Sequence, residues 1–296
     1  MRIDSKSFAG NLRRAALILN ICAWMISSPA FAAQDNRTGW QRIVTEDKEF
    51  SILIGGEPKI YHRPDVLFGN GARLSNGHVY GSCTRGLAFL IEIYDSSNPG
   101  KGLNALLDGR RDAQSFEHDI SLNGFSGKQY RGNWKGVYSN IQYFTSKKRI
   151  YVVQLVARDE KNPAIQLFLS SLKLGSMNKD PGSQNLIDLE GLPTGGESHQ
   201  VFKDSELTAS AIVLWIPKPG NSPQAIQKHV KGVVTLRCVL SGTGEVTDIT
   251  VLKSLGHGLD EKAIEAAKAI LFMPAEKDGH PVSQYAQFEY NFNAGL

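Results

Sequence analysis

The sequence predicts an α+β fold. Three observations carry that prediction. Residues 40–174 hold several strand-like apolar runs but only two helical patterns, with no regular strand–helix–strand alternation. Residues 201–296 repeat the mixture on a smaller scale, as a hairpin pattern, an amphipathic helix and a last alternating strand. The composition is that of an ordinary globular chain: 296 residues, 41% hydrophobic and 21% charged. This composition excludes a wholly disordered, collagen-like or multispan membrane chain.

The elements follow in chain order. Arg2, Lys6, Arg13 and Arg14 precede an uncharged stretch, residues 15–26, and Ala30 and Ala32 have the spacing a leader peptidase requires. Residues 1–32 are therefore expected to be a secretory signal peptide, placing the mature chain in the periplasm. The alternative is an uncleaved inner-membrane anchor, with both domains facing the periplasm. Three of the four net positive charges lie in residues 1–32, so no nucleic-acid partner is expected for the remainder. The membrane is a partner only if the N-terminal segment stays uncleaved.

Residues 49–54 (EFSILI) form an expected strand ended by Gly55-Gly56, and residues 87–94 (LAFLIEIY) an expected buried strand. Leu103, Leu106 and Leu107 predict a helix over 102–112. Residues 136–145 and 149–157 read as a hairpin around Ser146-Lys147-Lys148. Asn162-Pro163 opens a helix that runs through Leu172. Residues 33–174 thus form an α+β domain. Residues 175–200 are rich in Gly, Pro, Ser and Asn and are expected to be a linker, with a reach of about 80 Å at full extension.

The last domain, 201–296, begins with a strand over 211–216 and a short helix over 222–229. Val234, Leu236, Cys238 and Leu240 share one face of a strand over 232–241, which turns at Gly242-Thr243-Gly244 into a return strand over 245–253. Leu259, Ala263, Ala266 and Ile270 share a face of a helix over 259–271. Asp260 and Glu261 lie at its positive end and Pro274 stops it. Residues 283–292 close the domain, with Ala286, Phe288, Tyr290 and Phe292 inward and Tyr285, Gln287, Glu289 and Asn291 outward. Whether this strand lies at the edge or the centre of its sheet is open at this point.

Residues Gly232 to Leu240, then Gly244-Glu245-Val246 and Val251-Leu252-Lys253-Ser254, form an ordered signature. It continues through 259–267, Phe272-Met273-Pro274-Ala275, Gly279-His280-Pro281-Val282 and Glu289-Tyr290-Asn291-Phe292. Over about residues 201–296 the sequence resembles the TonB C-terminal domain of the energy transducer TonB family. The resemblance implies a small periplasmic β-β-α-β module without catalytic residues or cofactor. Such a module contacts outer-membrane receptors by pairing a strand edge with a short receptor segment. It implies a non-enzymatic envelope protein that binds a protein partner, with a link to TonB-type transport across the outer membrane. Tyr285, Gln287, Glu289 and Asn291 are the partner-binding candidates. The chain departs from full transducers: residues 11–33 hold no His, and the linker has only Pro181 and Pro193.

Two other readings are a periplasmic enzyme with its site in residues 40–174 and a structural protein that binds cell-wall polymer. The chemistry-bearing patterns are sparse. Ser170-Ser171-Leu172-Lys173 matches the Ser-x-x-Lys of acyl-transfer enzymes without its companion motifs. The seven His show no helical i, i+4 pair, and Glu117-His118-Asp119 is expected in a solvated loop. Gly69-Asn70-Gly71 is expected to be a hairpin turn. Tyr130, Trp134, Tyr138, Tyr143 and Phe144 are expected to fill a sheet core. Cys83 and Cys238 are expected to be small buried apolar residues, without a bridge.

Overall fold

The computed structural model describes residues 33–34, 39–84, 86–109, 116–134, 136–175 and 200–294. The expected signal peptide and most of the expected linker lie outside these residues. The described residues belong to two compact units.

The first unit contains β1 (Ala33–Gln34), β2 (Trp40–Val44), β3 (Phe50–Gly55), β4 (Lys59–Arg63), β5 (Val66–Leu67), β6 (Arg73–Thr84), β7 (Leu87–Asp95) and α1 (Pro99–Gly109). It continues with β8 (Phe116–Leu122), β9 (Phe125–Trp134), β10 (Val137–Thr145), β11 (Arg149–Ala157), α2 (Pro163–Ser170) and β12 (Lys173–Leu174). A large antiparallel sheet has the order β4-β6-β7-β11-β10-β9-β8, with β5 beside β6. A smaller sheet, β1-β2-β3-β12, forms a second layer. Trp40, Ile52 and Ile54 of the small sheet pack with Phe89 and Ile91 of β7, Val153 of β11 and Phe168 of α2 in one core. The other face of the large sheet carries a second cluster, in which Leu103 and Leu106 of α1 meet Tyr94, Tyr143 and Val152. Covered on both faces, β7 and β11 read as continuous apolar runs.

Local sequence explains the boundaries. Asn98 accepts a hydrogen bond from the Lys101 amide at 3.0 Å and Pro99 opens the turn, so α1 starts earlier than the leucine spacing predicts, while its expected end lies outside the described residues. Asn162 accepts from the Ala164 amide at 2.9 Å and starts α2. That helix ends at Ser170 rather than Leu172, because Leu172 turns into the core ahead of β12. The expected loop at Glu117-His118-Asp119 is instead part of edge strand β8, in a tight hairpin with β9. Its two turn residues, Asn123 and Gly124, both have positive φ, the conformation that Asn-Gly favours in such hairpins. Gly69-Asn70-Gly71 is the turn between β5 and β6.

One close approach fixes the β9–β10 contact. A Cβ on Gly127 would collide with the Tyr143 carbonyl oxygen and lie 2.7 Å from the Phe144 ring. Gly127→Ala is therefore expected to cost about 1–3 kcal/mol by forcing these strands apart. Hydrogen exchange should show the loss concentrated in the β9 and β10 amides.

The second unit holds β13 (Val201–Phe202), a 3-10 turn over Asp204–Glu206, β14 (Ile212–Trp215), α3 (Pro223–Gln227), β15 (Lys231–Leu240) and β16 (Val246–Lys253). It ends with α4 (Leu259–Lys268), β17 (Leu271–Met273), β18 (Ala275–Lys277) and β19 (His280–Asn293). Its main sheet has the order β13-β19-β15-β16, with β18 also pairing β19, while β14 and β17 form a separate two-stranded ribbon. Leu259, Ala263 and Ala266 of α4 pack with Val234, Leu236 and Cys238 of β15 and Phe288 and Tyr290 of β19. The expected helix over 259–271 is shorter, because Leu271 to Met273 pair with β14 and are buried as a strand. It stops before Pro274 for that reason. The Asp260 carboxylate accepts from the Leu255 amide at 3.0 Å and from the Ser254 hydroxyl, fixing the entry to α4.

Candidate functional site

The two long edges of the main sheet in the second unit differ. At β16 the pairing with β15 shifts register twice, and Asp248 has positive φ. Asp248 and Lys253 are exposed there. Bulges and charged side chains blunt a sheet edge against strand addition. β19, by contrast, pairs with β15 over ten consecutive residues without a shift, from Gln284↔Leu240 to Asn293↔Lys231.

On its other side, β19 is paired by β13 only at Ser283 and Gln284, in parallel. From residue 285 to residue 293 no described strand lies there. The direction of the backbone groups follows from one hydrogen bond. The Ala294 amide donates to the Val230 carbonyl at 2.9 Å, in register with the ladder. Alternate residues of an antiparallel strand direct their N–H and C=O groups to opposite sides. Even-numbered residues of β19 therefore face β15. Tyr285, Gln287, Glu289, Asn291 and Asn293 direct their backbone donors and acceptors to the side on which no described strand lies.

The side chains obey the same alternation. Ala286, Phe288, Tyr290 and Phe292 are buried against α4 and the rest of that core. Tyr285 and Asn291 are exposed, and Gln287 and Glu289 are half-buried on the outer face. The strand is longer than the expected 283–292, because its start forms a hairpin with β18 through the positive-φ turn Asp278-Gly279.

Where β13 leaves the edge, an open cleft of about 370 Å³ is lined by Phe202, Lys203, Asp204, Ser205 and Tyr285. Its wall is fixed. The Gln284 side chain donates to Asp204 at 2.5 Å and accepts from the Ala211 amide at 2.8 Å. Lys277 Nζ stands 4.4 Å over the Phe202 ring. Tyr285, 48% exposed, joins this cleft to the open edge. Sequence reasoning missed the 201–206 part of the cleft, because a two-residue strand has no periodicity.

The other singled-out residues disperse. The Ser171 hydroxyl accepts from the Leu53 amide at 2.9 Å and donates to the Phe168 carbonyl at 2.7 Å. Ser170 donates to the Leu167 carbonyl, and Lys173 lies in β12 opposite Ser51. The Ser-x-x-Lys hydroxyls thus serve the end of α2. Tyr143 and Phe144 are buried in clusters on opposite faces of the large sheet, Tyr130 with the first and Tyr138 with the second, so these aromatics do not line one pocket. The Trp134 side chain is outside the described residues. Cys238 is buried, and burial pushes its thiol up to about 12, whereas Cys83 is only half-buried, contrary to expectation.

The first unit does gather charge at one rim. Arg149 pairs with Asp95 at 2.9 Å, with Asp47 and, at 3.7 Å, with Glu49. Burial alone would raise Asp95, but hydrogen bonds from Asn76 and Arg149 hold its carboxyl below the usual range. His62 and His78 lie directly opposite each other on β4 and β6. Burial, and next the neighbouring His62, lowers His78 below the ordinary imidazole value. No helix among the described residues is long and apolar enough to cross a membrane.

Residues 218–294 match the family described as Gram-negative bacterial TonB protein C-terminal. A similar solved structure is the solution NMR structure of the Pseudomonas aeruginosa TonB CTD. It is 23% identical, and the match covers 32% of this chain and 95% of that one, with a TM-score of 0.26. No curated protein matches the chain.

Proposed function

We propose, from the TonB C-terminal character of residues 218–294, that the chain is a non-enzymatic envelope protein that binds a protein partner by strand addition. The partner contributes a short extended segment, which lies along the open edge of β19 over residues 285–293. Tyr285, Gln287, Glu289 and Asn291 supply both the backbone ladder and the outward side chains that select it. The family assignment points to a segment of an outer-membrane receptor, and to a setting in the periplasm.

The observation that carries this reading is the difference between the two edges. β19 offers an unshifted row of backbone groups, whereas β16 is bulged and charged. A partner strand gains main-chain hydrogen bonds along such a row. The outer-face neighbours are of mixed charge, with Arg237 across from Gln287. Selection on this face is therefore expected to be local rather than a long-range electrostatic effect.

A photo-crosslinking residue placed at Gln287 in intact cells tests the reading, with the same residue at Thr250 on β16 as control. The expected result is a protein adduct from position 287 and none from position 250. Gln287→Pro removes one outward amide and is expected to abolish an adduct formed from a probe at Asn291 while leaving the fold largely intact, because an edge position tolerates Pro. Equal adducts from both edges, or an unfolded Gln287→Pro protein, would reject strand addition at β19.

A further inference from the structure

The first unit contains a second arrangement that strand binding does not use. His62 on β4 and His78 on β6 are cross-strand partners, with ring centroids 4.9 Å apart and planes at 71°. Metal–nitrogen bonds of about 2.0–2.1 Å put an imidazole centroid about 3.2 Å from a bound ion, so two rings coordinated at about 100° stand about 4.9 Å apart. The rings meet edge to face, so turning the side chains about their own bonds, with no movement of either strand, is what brings a nitrogen of each to one ion at this spacing. His62 is exposed and His78 half-buried, so the pair is open to solvent on one side.

The surroundings favour a cation. Arg149 acts on His78 as a positive group, and it is already matched by Asp47, Glu49 and Asp95. The Asp95 oxygens are taken by Asn76 and Arg149, at 2.8 and 2.9 Å, so Asp95 orders the rim without serving as a ligand. Glu46, exposed on the turn between β2 and β3, lies close enough to act electrostatically on His78 and brings a further negative charge. No three His, Cys, Asp or Glu side chains among the described residues converge on one point. An ion held here would therefore have two protein ligands, with its other positions left to solvent.

We propose that His62 and His78 bind a late first-row divalent ion, Zn²⁺ or Cu²⁺, at the rim of the large sheet. Imidazole pairs suit these ions, and Cu²⁺ binds more tightly than Zn²⁺ at a site of this type. Because the ion bridges edge strand β4 to β6, binding fastens that edge and raises the melting temperature of the first unit.

Calorimetric titration of the metal-free full chain with ZnCl₂, and separately with CuCl₂ held as a weak glycine complex, tests the proposal. One equivalent of each ion is expected to bind, Cu²⁺ the tighter. His62→Ala and His78→Gln are each expected to weaken binding at least about tenfold, because loss of either ring leaves a single ligand. Glu46→Gln is expected to weaken it less. Should a His variant not fold, the electron paramagnetic resonance spectrum of the unaltered chain with one equivalent of Cu²⁺ decides: superhyperfine splitting from two imidazole nitrogens supports the pair. Absence of binding, coupling to one nitrogen, or affinity unchanged by either His substitution would overturn it.

Discussion

Phe288→Ala is expected to destabilise the second unit by about 3–5 kcal/mol, the usual cost of truncating a fully buried phenylalanine. Phe288 is 2% exposed and packs into the core under α4, opposite Leu236 of β15. Deleting the ring leaves a cavity that the fixed hairpin and helix can close only in part. Its neighbour Gln287 occupies the same strand with the opposite orientation, and Gln287→Pro is expected to leave most of that stability in place. Hydrogen exchange of the β15 and β19 amides in the full chain measures both. Similar losses from the two substitutions would mean that the outer side of β19 is structurally engaged and not available to a partner.

The second large effect belongs to the first unit. Glu92 is completely buried on β7, where a carboxylate needs compensation. Arg63 Nη1 lies 2.6 Å from its Oε2, and the Tyr94 hydroxyl donates to the same oxygen. Arg63 is 30% exposed, so its own desolvation is modest. Arg63→Ala removes the cation beside this buried carboxylate and is expected to cost about 3–5 kcal/mol, as breaking a buried pair from one side does. Adding Glu92→Leu removes the buried carboxylate as well, so the double variant is expected to regain more than half of the loss. Thermal unfolding of the single and double variants gives the answer. A double variant no more stable than Arg63→Ala would show that Arg63 acts through packing instead.

Much of the framework was legible because burial leaves a mark on sequence. β7 and β11 lie between two layers and are written as apolar runs, and the alternation of β15 and β19 follows their single covered face. The β8–β9 hairpin was overlooked although its turn, Asn123-Gly124, is a strong local signal. The apolar alternation of Phe116, Ile120 and Leu122 is interrupted by His118, and β9 after Phe125 is largely polar, so the pattern around the turn is weak. The ending of α4 depended on β14, more than fifty residues upstream, which recruits Leu271 to Met273 into a strand. Edge position was equally illegible, since it turns on the two residues of β13. The facing of His62 and His78 could not be read at all. They are sixteen residues apart, and only the β4–β6 register brings them together.

The small sheet of the first unit is closed by the two ends of its sequence. β3 pairs with β12 through Phe50↔Leu174, and the Leu53 amide is satisfied by Ser171, 118 residues later. That arrangement sets the order of folding. β2 and β3 can form a hairpin early, but their apolar face, which packs against β7 and β11, is covered in full only when α2 and β12 exist. Loop closure across such a span is entropically costly and is repaid only when the last segment docks. The unit is therefore expected to fold slowly and in one concerted step, because its decisive contacts are non-local. A chain stopped anywhere before residue 171 would leave the β3 edge unpaired, offering its backbone groups to association with other chains instead of completing a smaller stable domain.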